Sequence, residues 1–235
     1  MDSSVLELLD AHDILRPGHI NEQILKDFLF TLRDFQSLST CDQKKLQVFS
    51  SSVNNCLNSQ SHKDKYYGLC ALEVLLQQCP SEFLQQNIGS YINSVVNQVF
   101  KSSSTEPQTL NRACQVMANI FECAPSFPDA SRQLSSLAST LITCICDLSK
   151  KYQGCQTGLF HCITALMTNY PGACGAASAN LKSIENMLTR QMTTNDALLT
   201  EQVYYSNHFI CSNPTMIIKS KSHLTDENYN TFLFL

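Results

Sequence analysis

The sequence lacks the short motifs that mark most metal and catalytic sites. It contains no Cys-x-x-Cys pair with zinc-ligand spacing, no glycine-rich phosphate loop and no nucleophile elbow. Cys144 and Cys146 are close in sequence but would point to different faces of a helix, which is poor geometry for chelation. We therefore predict a protein that is not an enzyme and that has no metal, no cofactor and no small-molecule substrate.

Charge is also scarce. Only 15% of the residues are charged and the formal net charge is -4, so Ser, Thr, Asn and Gln must form much of the surface. Such a chain has no overall basic field of the kind that drives non-specific binding to nucleic acid. Direct contact with RNA stays an open question at this point. The scattered cations are interpreted as solvated surface; they include Lys63, Lys65, Arg112, Lys150, Lys151 and Lys182.

Long apolar runs are missing as well. No stretch approaches the roughly 18 apolar residues of a membrane span, and no positively charged segment precedes an apolar one at the start. We expect a cytosolic or nuclear protein with no membrane segment. Its twelve cysteines fall mostly at core phases of helices, as Cys70, Cys114, Cys123, Cys144 and Cys162 do, so we interpret them as free thiols in a reducing compartment.

What the sequence does contain is three apolar helices that each end at a proline. Apolar residues stand eight, five and four positions before Pro80, Pro125 and Pro171, a pattern that gives one stripe along an α-helix. These residues are Leu72, Leu75 and Leu76, then Met117, Ile120 and Phe121, then Ile163, Leu166 and Met167. The prolines are spaced by about 45 residues, within the roughly 40 to 47 residue period of two- or three-helix repeats.

A second amphipathic run follows each proline, so each repeat is predicted to be a pair of antiparallel helices. We expect an all-α, armadillo/HEAT-like α-α superhelix over residues 1–192. Before the repeats, a short helix over 3–15 and helices over 21–35 and 42–57 are predicted, with Ile24, Leu25, Phe28 and Leu29 among the residues on one buried face. Residues 193–235 lose the helical phase and are expected to form a poorly ordered or truncated tail.

Two short segments have both a functional and a structural interpretation. Leu72-Glu73-Val74-Leu75-Leu76 has the L-x-x-L-L form that docks into nuclear hormone receptors, but its leucines are also repeat core positions. Cys155, between Gly154 and Gly158 near a helix start, would be the nucleophile of a thiol enzyme, although the glycines also suit a simple turn. We favour the structural interpretation of both segments, with Leu72, Leu75 and Leu76 kept as the one candidate partner-binding motif.

Several corners of the repeats resemble a known family. They are Tyr67-Gly68-Leu69-Cys70-Ala71-Leu72, Cys79-Pro80-Ser81-Glu82-Phe83, Arg112-Ala113-Cys114, Cys123-Ala124-Pro125-Ser126-Phe127 and Asn169-Tyr170-Pro171-Gly172-Ala173-Cys174-Gly175. In their order and spacing, the chain resembles the N-terminal helical-repeat domain of the proline-, glutamic acid- and leucine-rich protein family, whose fungal member is the Rix scaffold of the pre-ribosome. The resemblance covers about residues 20–190.

This resemblance implies a function. Members act as non-catalytic scaffolds in ribosome biogenesis, in rRNA processing and maturation of the large ribosomal subunit, with a WD40-repeat subunit and an AAA ATPase as partners. The implied location is the nucleus, nucleolus and nucleoplasm. The alternatives are an armadillo/HEAT-type transport adaptor and a transcriptional coregulator that binds nuclear receptors.

Overall fold

The computed structural model describes residues 12–34, 43–102, 104–170 and 174–192, and helices account for most of them. No β-strand occurs within these ranges. The chain divides into two compact units, Met1–Gln133 (unit 1) and Leu134–Leu235 (unit 2). The predicted tail over 193–235 and the first part of the predicted helix over 3–15 lie outside the described residues.

The described helices follow one another with short links. They are α1 (Glu22–Asp34), α2 (Gln43–Leu57), α3 (His62–Gln78), α4 (Ser81–Val95), α5 (Pro107–Cys123), α6 (Pro128–Lys151), α7 (Gln156–Asn169), α8 (Cys174–Ala179) and α9 (Leu181–Met192). Short 3-10 turns lie at His12–Leu15, Ala124–Ser126 and Gln153–Cys155, and a π-helical turn at Val96–Phe100 follows α4 directly. The predicted helices over 21–35 and 42–57 are confirmed to within one residue at each end.

Local chemistry explains where the repeat helices begin and end. Ser61 caps α3 by accepting a hydrogen bond from the backbone N–H of Asp64 (3.3 Å). The same helix stops just before Pro80, which cannot donate a backbone hydrogen bond. Pro107 occupies the first turn of α5, where its missing N–H costs nothing, and that helix ends just before the turn that contains Pro125. The predicted stops at the first two prolines are confirmed.

The predicted apolar stripes form the core. Leu72, Leu75, Met117, Ile120 and Phe121 are fully buried in unit 1. In unit 2 the corresponding stripe of α7 is buried, and so are Leu181, Ile184 and Met187 of α9, which packs against α7. Burying an aliphatic or aromatic side chain contributes roughly 1.5–3 kcal/mol, so these stripes supply the main driving force for packing.

Hydrogen bonds between helices give their directions within unit 1. Gln47 of α2 bonds to Asn87 of α4, and further along both helices Ser50 bonds to Tyr91, so α2 and α4 run in the same direction. Helices α2 and α3 pack on each other and are joined only by residues 58–61, which makes them an antiparallel hairpin.

The α3 and α5 helices also run in the same direction. The Thr109 hydroxyl donates to the His62 carbonyl (3.4 Å) at their starts, and Arg112 pairs with Glu73 further along. The all-α prediction is confirmed in the described residues, and unit 1 has the alternating helix pairs of the armadillo/HEAT-like class.

The π-helical turn at the end of α4 is held by two distant side chains. The backbone N–H of Lys101 reaches back to the Val96 carbonyl (2.9 Å). The Thr105 hydroxyl donates to the Val99 carbonyl (2.9 Å) and the Lys65 ammonium donates to the Gln98 carbonyl (3.0 Å). These donors satisfy carbonyl groups that the wider turn leaves without helical partners.

Lys65 corrects one sequence interpretation. The sequence predicts a solvated Lys65, but only 6% of this residue is exposed, because its ammonium group donates to a carbonyl of the π-helical turn. Burial lowers the pKa of its ammonium group. Arg112 is half-buried rather than fully solvated, whereas Lys63, Lys150, Lys151 and Lys182 are exposed as expected.

Two other sequence expectations were partly wrong. Ile24 is 51% exposed, although Leu25, Phe28 and Leu29 on the same helix are buried as predicted. Cys123 and Cys144 are only half-buried, whereas Cys70, Cys114 and Cys162 are buried. The nine cysteines in the described part of the chain that carry a side-chain description are all free thiols.

Candidate interaction surfaces

The receptor-type motif lies inside the repeat. Leu72 and Leu75 have no exposed surface, and Leu76 is half-buried at the end of α3. Docking this segment on a receptor would require its two buried leucines to leave the core. Each loss of that kind costs roughly 2–5 kcal/mol, so the folded chain does not present the motif as a free helix.

The candidate nucleophile is also covered. Cys155 stands at the N-cap of α7 and has no exposed surface, while Gly154 beside it is exposed. A reactive thiol has to meet its substrate, and this one has no solvent-facing atom in the folded chain. The structure therefore gives Cys155 a packing position at a helix start.

Other buried thiols are unreactive at neutral pH because burial disfavours the thiolate. Burial raises the pKa of Cys56 to about 12, with a smaller contribution from the negative charge of Asp64. The Cys56 thiol donates a hydrogen bond to the Leu15 carbonyl (3.1 Å), and only the protonated thiol can make this bond. Burial likewise raises the pKa of Cys146 to about 12. Both stay protonated at neutral pH, where only the thiolate is a nucleophile or a metal ligand.

The described part of the chain offers neither a metal site nor a membrane-spanning helix. It holds no group of three or more His, Cys, Asp and Glu side chains arranged to bind a metal ion. Among the described helices, none has the length and apolar character needed to cross a membrane.

An ion pair joins successive repeats between α3 and α5. One terminal nitrogen of Arg112 donates to Glu73 (2.7 Å) and the other to Gln115 (2.9 Å). The paired side chains are 20% and 13% exposed. Cys70 lies beside them, and burial raises its pKa although the Arg112 charge acts in the opposite direction. This cluster fixes the two helices against each other at the rim of the core.

A second set of polar contacts joins α2, α4 and the first turns of α6. The Tyr91 hydroxyl lies 2.5 Å from the Ser50 hydroxyl, and burial raises its pKa. The Ser94 hydroxyl donates to Asn54 (3.3 Å). Gln133 continues the set by donating to the Asn93 side chain (2.8 Å). Uncharged amides and hydroxyls thus connect helices of successive repeats, which agrees with the low charge content.

Three segments of unit 1 that come together each carry one exposed cation. We call the segments 16–19, 58–65 and 98–102 of unit 1 the inter-repeat edge. The backbone N–H of Gly18 donates to Asp64 (3.0 Å), which brings the first segment against the start of α3, and the Lys65 ammonium connects that start to Gln98. Arg16, Lys63 and Lys101 are exposed along this edge.

Comparison with known proteins decides the family. A family model described as RIX1, rRNA processing/ribosome biogenesis, matches residues 8–196, which is most of the chain. The chain belongs to the RIX1 family. The resemblance predicted from the repeat corners is confirmed, and the family connects the chain with ribosome biogenesis and rRNA processing.

One curated relative supports the same assignment. The chain is 29% identical over 124 residues to mouse "Proline-, glutamic acid- and leucine-rich protein 1". The matched segment covers 52% of this chain and 11% of the mouse protein, so the chain corresponds to a small part of that relative's length.

Two features of these surfaces were missed from the sequence. Glu73 is the one charged residue after Lys65 in α3, and Arg112 is the one cation in α5, so a lone opposite charge on each repeat helix was a usable signal for the ion pair. The inter-repeat edge had no comparable signal, since its segments come together through contacts of Gly18 with Asp64 and of Lys65 with Gln98, which are distant in sequence.

Proposed function

We propose that this RIX1-family chain is a non-catalytic protein-interaction scaffold in maturation of the large ribosomal subunit. The observation that carries the proposal is the family match over residues 8–196, whose description is rRNA processing and ribosome biogenesis. A scaffold role fits a chain whose one candidate nucleophile, Cys155, is buried. It also fits helices that are connected across repeats by fixed side-chain contacts.

The packing of unit 1 supports a binding role in physical terms. Helices of successive repeats run in the same direction and are joined by the Arg112–Glu73 pair and by Ser50 with Tyr91. A surface built on helices that are fixed in this way loses little conformational entropy when it binds a partner. Side chains on such a surface are therefore suited to hold several proteins in a defined arrangement.

The remaining details rest on the family resemblance. The partners are those of a pre-ribosomal assembly complex, with a WD40-repeat subunit and an AAA ATPase, and the location is the nucleus, with nucleolus and nucleoplasm. We assign the binding function to the helical-repeat domain over 1–192 and no partner to the tail over 193–235.

Neither the transport-adaptor alternative nor the coregulator alternative is favoured. The family description names rRNA processing and not transport, which argues against an armadillo/HEAT-type adaptor. A nuclear-receptor coregulator that used residues 72–76 would need Leu72 and Leu75, and both are fully buried.

Affinity purification of the tagged chain from nuclear extract tests the proposal. We expect large-subunit precursor rRNA and assembly factors to be enriched over a tag-only control. A matched variant, Leu75→Ala, should lose this enrichment in proportion to its unfolded fraction, because the binding surface depends on the core. Recovery of transport receptors or coat proteins, without precursor rRNA, would overturn it.

A further inference from the structure

We infer that the inter-repeat edge of unit 1 binds the phosphate backbone of single-stranded RNA through Arg16, Lys63 and Lys101. The inference rests on the proposed function and names the kind of RNA contact that such a scaffold would make. The three exposed cations lie outside the repeat core stripes and outside the receptor-type motif.

The start of α3 is the centre of this surface. Asp64 accepts hydrogen bonds from the backbone N–H of Gly18 (3.0 Å) and from the Ser59 hydroxyl (2.8 Å), which fixes the segment 16–19 on one side. On the other side, the Lys65 ammonium holds the Gln98 carbonyl, three residues before Lys101. Three segments that are distant in sequence are therefore joined at the start of α3, and each carries one exposed cation.

The charge balance of the edge is positive. Arg16, Lys63 and Lys101 are exposed, and none of them forms an ion pair with another described residue. The Asp64 carboxylate is only 4% exposed and already accepts two hydrogen bonds. Lys65 adds a fourth positive charge beneath the surface, held by a carbonyl and not by a carboxylate.

Carboxylates near the edge offset only part of this charge. Glu22 pairs with Lys26 (2.7 Å), and the Lys63 charge makes a smaller contribution to lowering the pKa of its carboxyl. Glu22 therefore offsets part of the Lys63 charge, whereas Lys26 adds a further cation. Glu106, at the N-cap of α5, is exposed and lies in the link after the edge. The chain as a whole carries a net charge of -4, so a positive patch on it is a local feature and not a consequence of composition.

The chemistry of the edge fits phosphate groups better than bases. Separated, flexible cations contact a repeating phosphate backbone without reading its sequence. Tyr67, the aromatic ring beneath the Lys63 ammonium (5.9 Å to the ring centre), is 6% exposed and offers no face on which a base could stack. We therefore expect binding that is independent of base sequence and strongly dependent on salt.

Fluorescence anisotropy with a labelled oligouridine tests the inference on the full chain. The test variant is Arg16→Gln with Lys63→Gln and Lys101→Gln. The matched control, Lys44→Gln with Arg132→Gln and Lys150→Gln, removes the same charge from exposed residues outside the edge. Circular dichroism and thermal unfolding check that both variants keep the fold.

We expect the test variant, but not the control variant, to bind oligouridine more weakly than the wild-type chain does. Because each phosphate contact in single strands contributes about 0.7 to the slope of log K against log salt, losing three contacts should reduce that slope by about 2. The control variant should keep the wild-type slope. An oligouridine and an oligoadenine should bind equally well to the wild-type chain.

Three results would overturn the inference. They are no binding of oligouridine by the wild-type chain at low salt, an equal loss in both variants, and tighter binding of a labelled polyglutamate than of oligouridine to the same residues. The last result would assign the edge to an acidic protein segment. If the test variant still recovers assembly factors from nuclear extract, the scaffold proposal stands even where the RNA contact fails.

Discussion

A terminal nitrogen of Arg112 in α5 lies 2.7 Å from a carboxylate oxygen of Glu73 in α3. The two residues are separated by one repeat in sequence, and both are largely shielded from solvent. Opposite charges at this distance attract more strongly at a half-buried site than in water, but each has also lost hydration. The pair therefore contributes to the alignment of successive repeats more clearly than to overall stability.

Removing one partner of this ion pair should lower the stability of the fold. We expect Arg112→Met to lower the free energy of unfolding by about 2–3 kcal/mol, because Glu73 is left half-buried without its cation. Arg112→Met combined with Glu73→Leu should cost less than the sum of the two single changes. Urea unfolding of the four proteins gives the coupling energy directly. A coupling energy of zero would mean that the pair is not formed in solution.

Gly68 lies where α3 packs tightly against α2. A methyl group at this position would lie 2.9 Å from the Cys56 β-carbon and 3.2 Å from the Leu57 backbone nitrogen. We expect Gly68→Ala to destabilise the chain by roughly 1–3 kcal/mol, because the hairpin has to open to admit it. Gly154→Ala is the matched control, since nothing lies within 4 Å of the added methyl group. Thermal unfolding that is equally affected in both variants would contradict this packing.

Leu75 separates the core and docking interpretations of the receptor-type motif. Leu75→Ala should lower the free energy of unfolding by roughly 2–5 kcal/mol, because the side chain is fully buried. Val48→Ala, at a position that is 45% exposed, should change it by no more than about 0.5 kcal/mol. Chemical denaturation measures both. Loss of nuclear-receptor binding by a Leu75→Ala chain of unchanged stability would favour the coregulator alternative.

Cys56 should make the fold sensitive to alkaline pH. Its folded-state pKa is raised from 9.0 to about 12, so the native state keeps a proton that the unfolded chain releases. The resulting stability is fully present below pH 9 and is lost as the pH rises toward 12. At one unit above the unfolded pKa the loss is about 1.4 kcal/mol.

The wild-type chain and Cys56→Ala are to be compared by urea unfolding at neutral and alkaline pH. The variant should be less stable at neutral pH but should lose less stability on alkalinisation. Some loss should remain in both proteins, because groups such as Tyr67 also have a raised pKa. Parallel losses in the two proteins would show that Cys56 does not contribute.

The helices and their core faces were predictable because they depend on local periodicity. Leu72, Leu75 and Phe121 repeat at helical spacing before a proline, and all three are buried. Periodicity gives the direction of a face but not its width, which is why Ile24 was assigned to the core beside Leu25 and is half exposed instead.

Contacts between distant segments were not predictable from periodicity. The π-helical turn at Val96–Phe100 depends on Lys65 and Thr105, which lie outside the helix they support. A charged residue near a helix start normally indicates solvent, and only the position of Gln98 in three dimensions makes burial of Lys65 acceptable. The ion pair of Arg112 with Glu73 was likewise not predictable from periodicity, because the two residues lie on different helices.

Depletion and rescue in cells is the most direct test of a non-catalytic role in ribosome biogenesis. Depleting the endogenous protein should make large-subunit precursor rRNA accumulate, measured against small-subunit precursors. Re-expression of the wild-type protein and of a Cys155→Ser variant should restore processing equally, since the buried thiol has no chemical part in it. Unchanged precursor levels after depletion, or failure of the folded Cys155→Ser variant to rescue, would contradict the account.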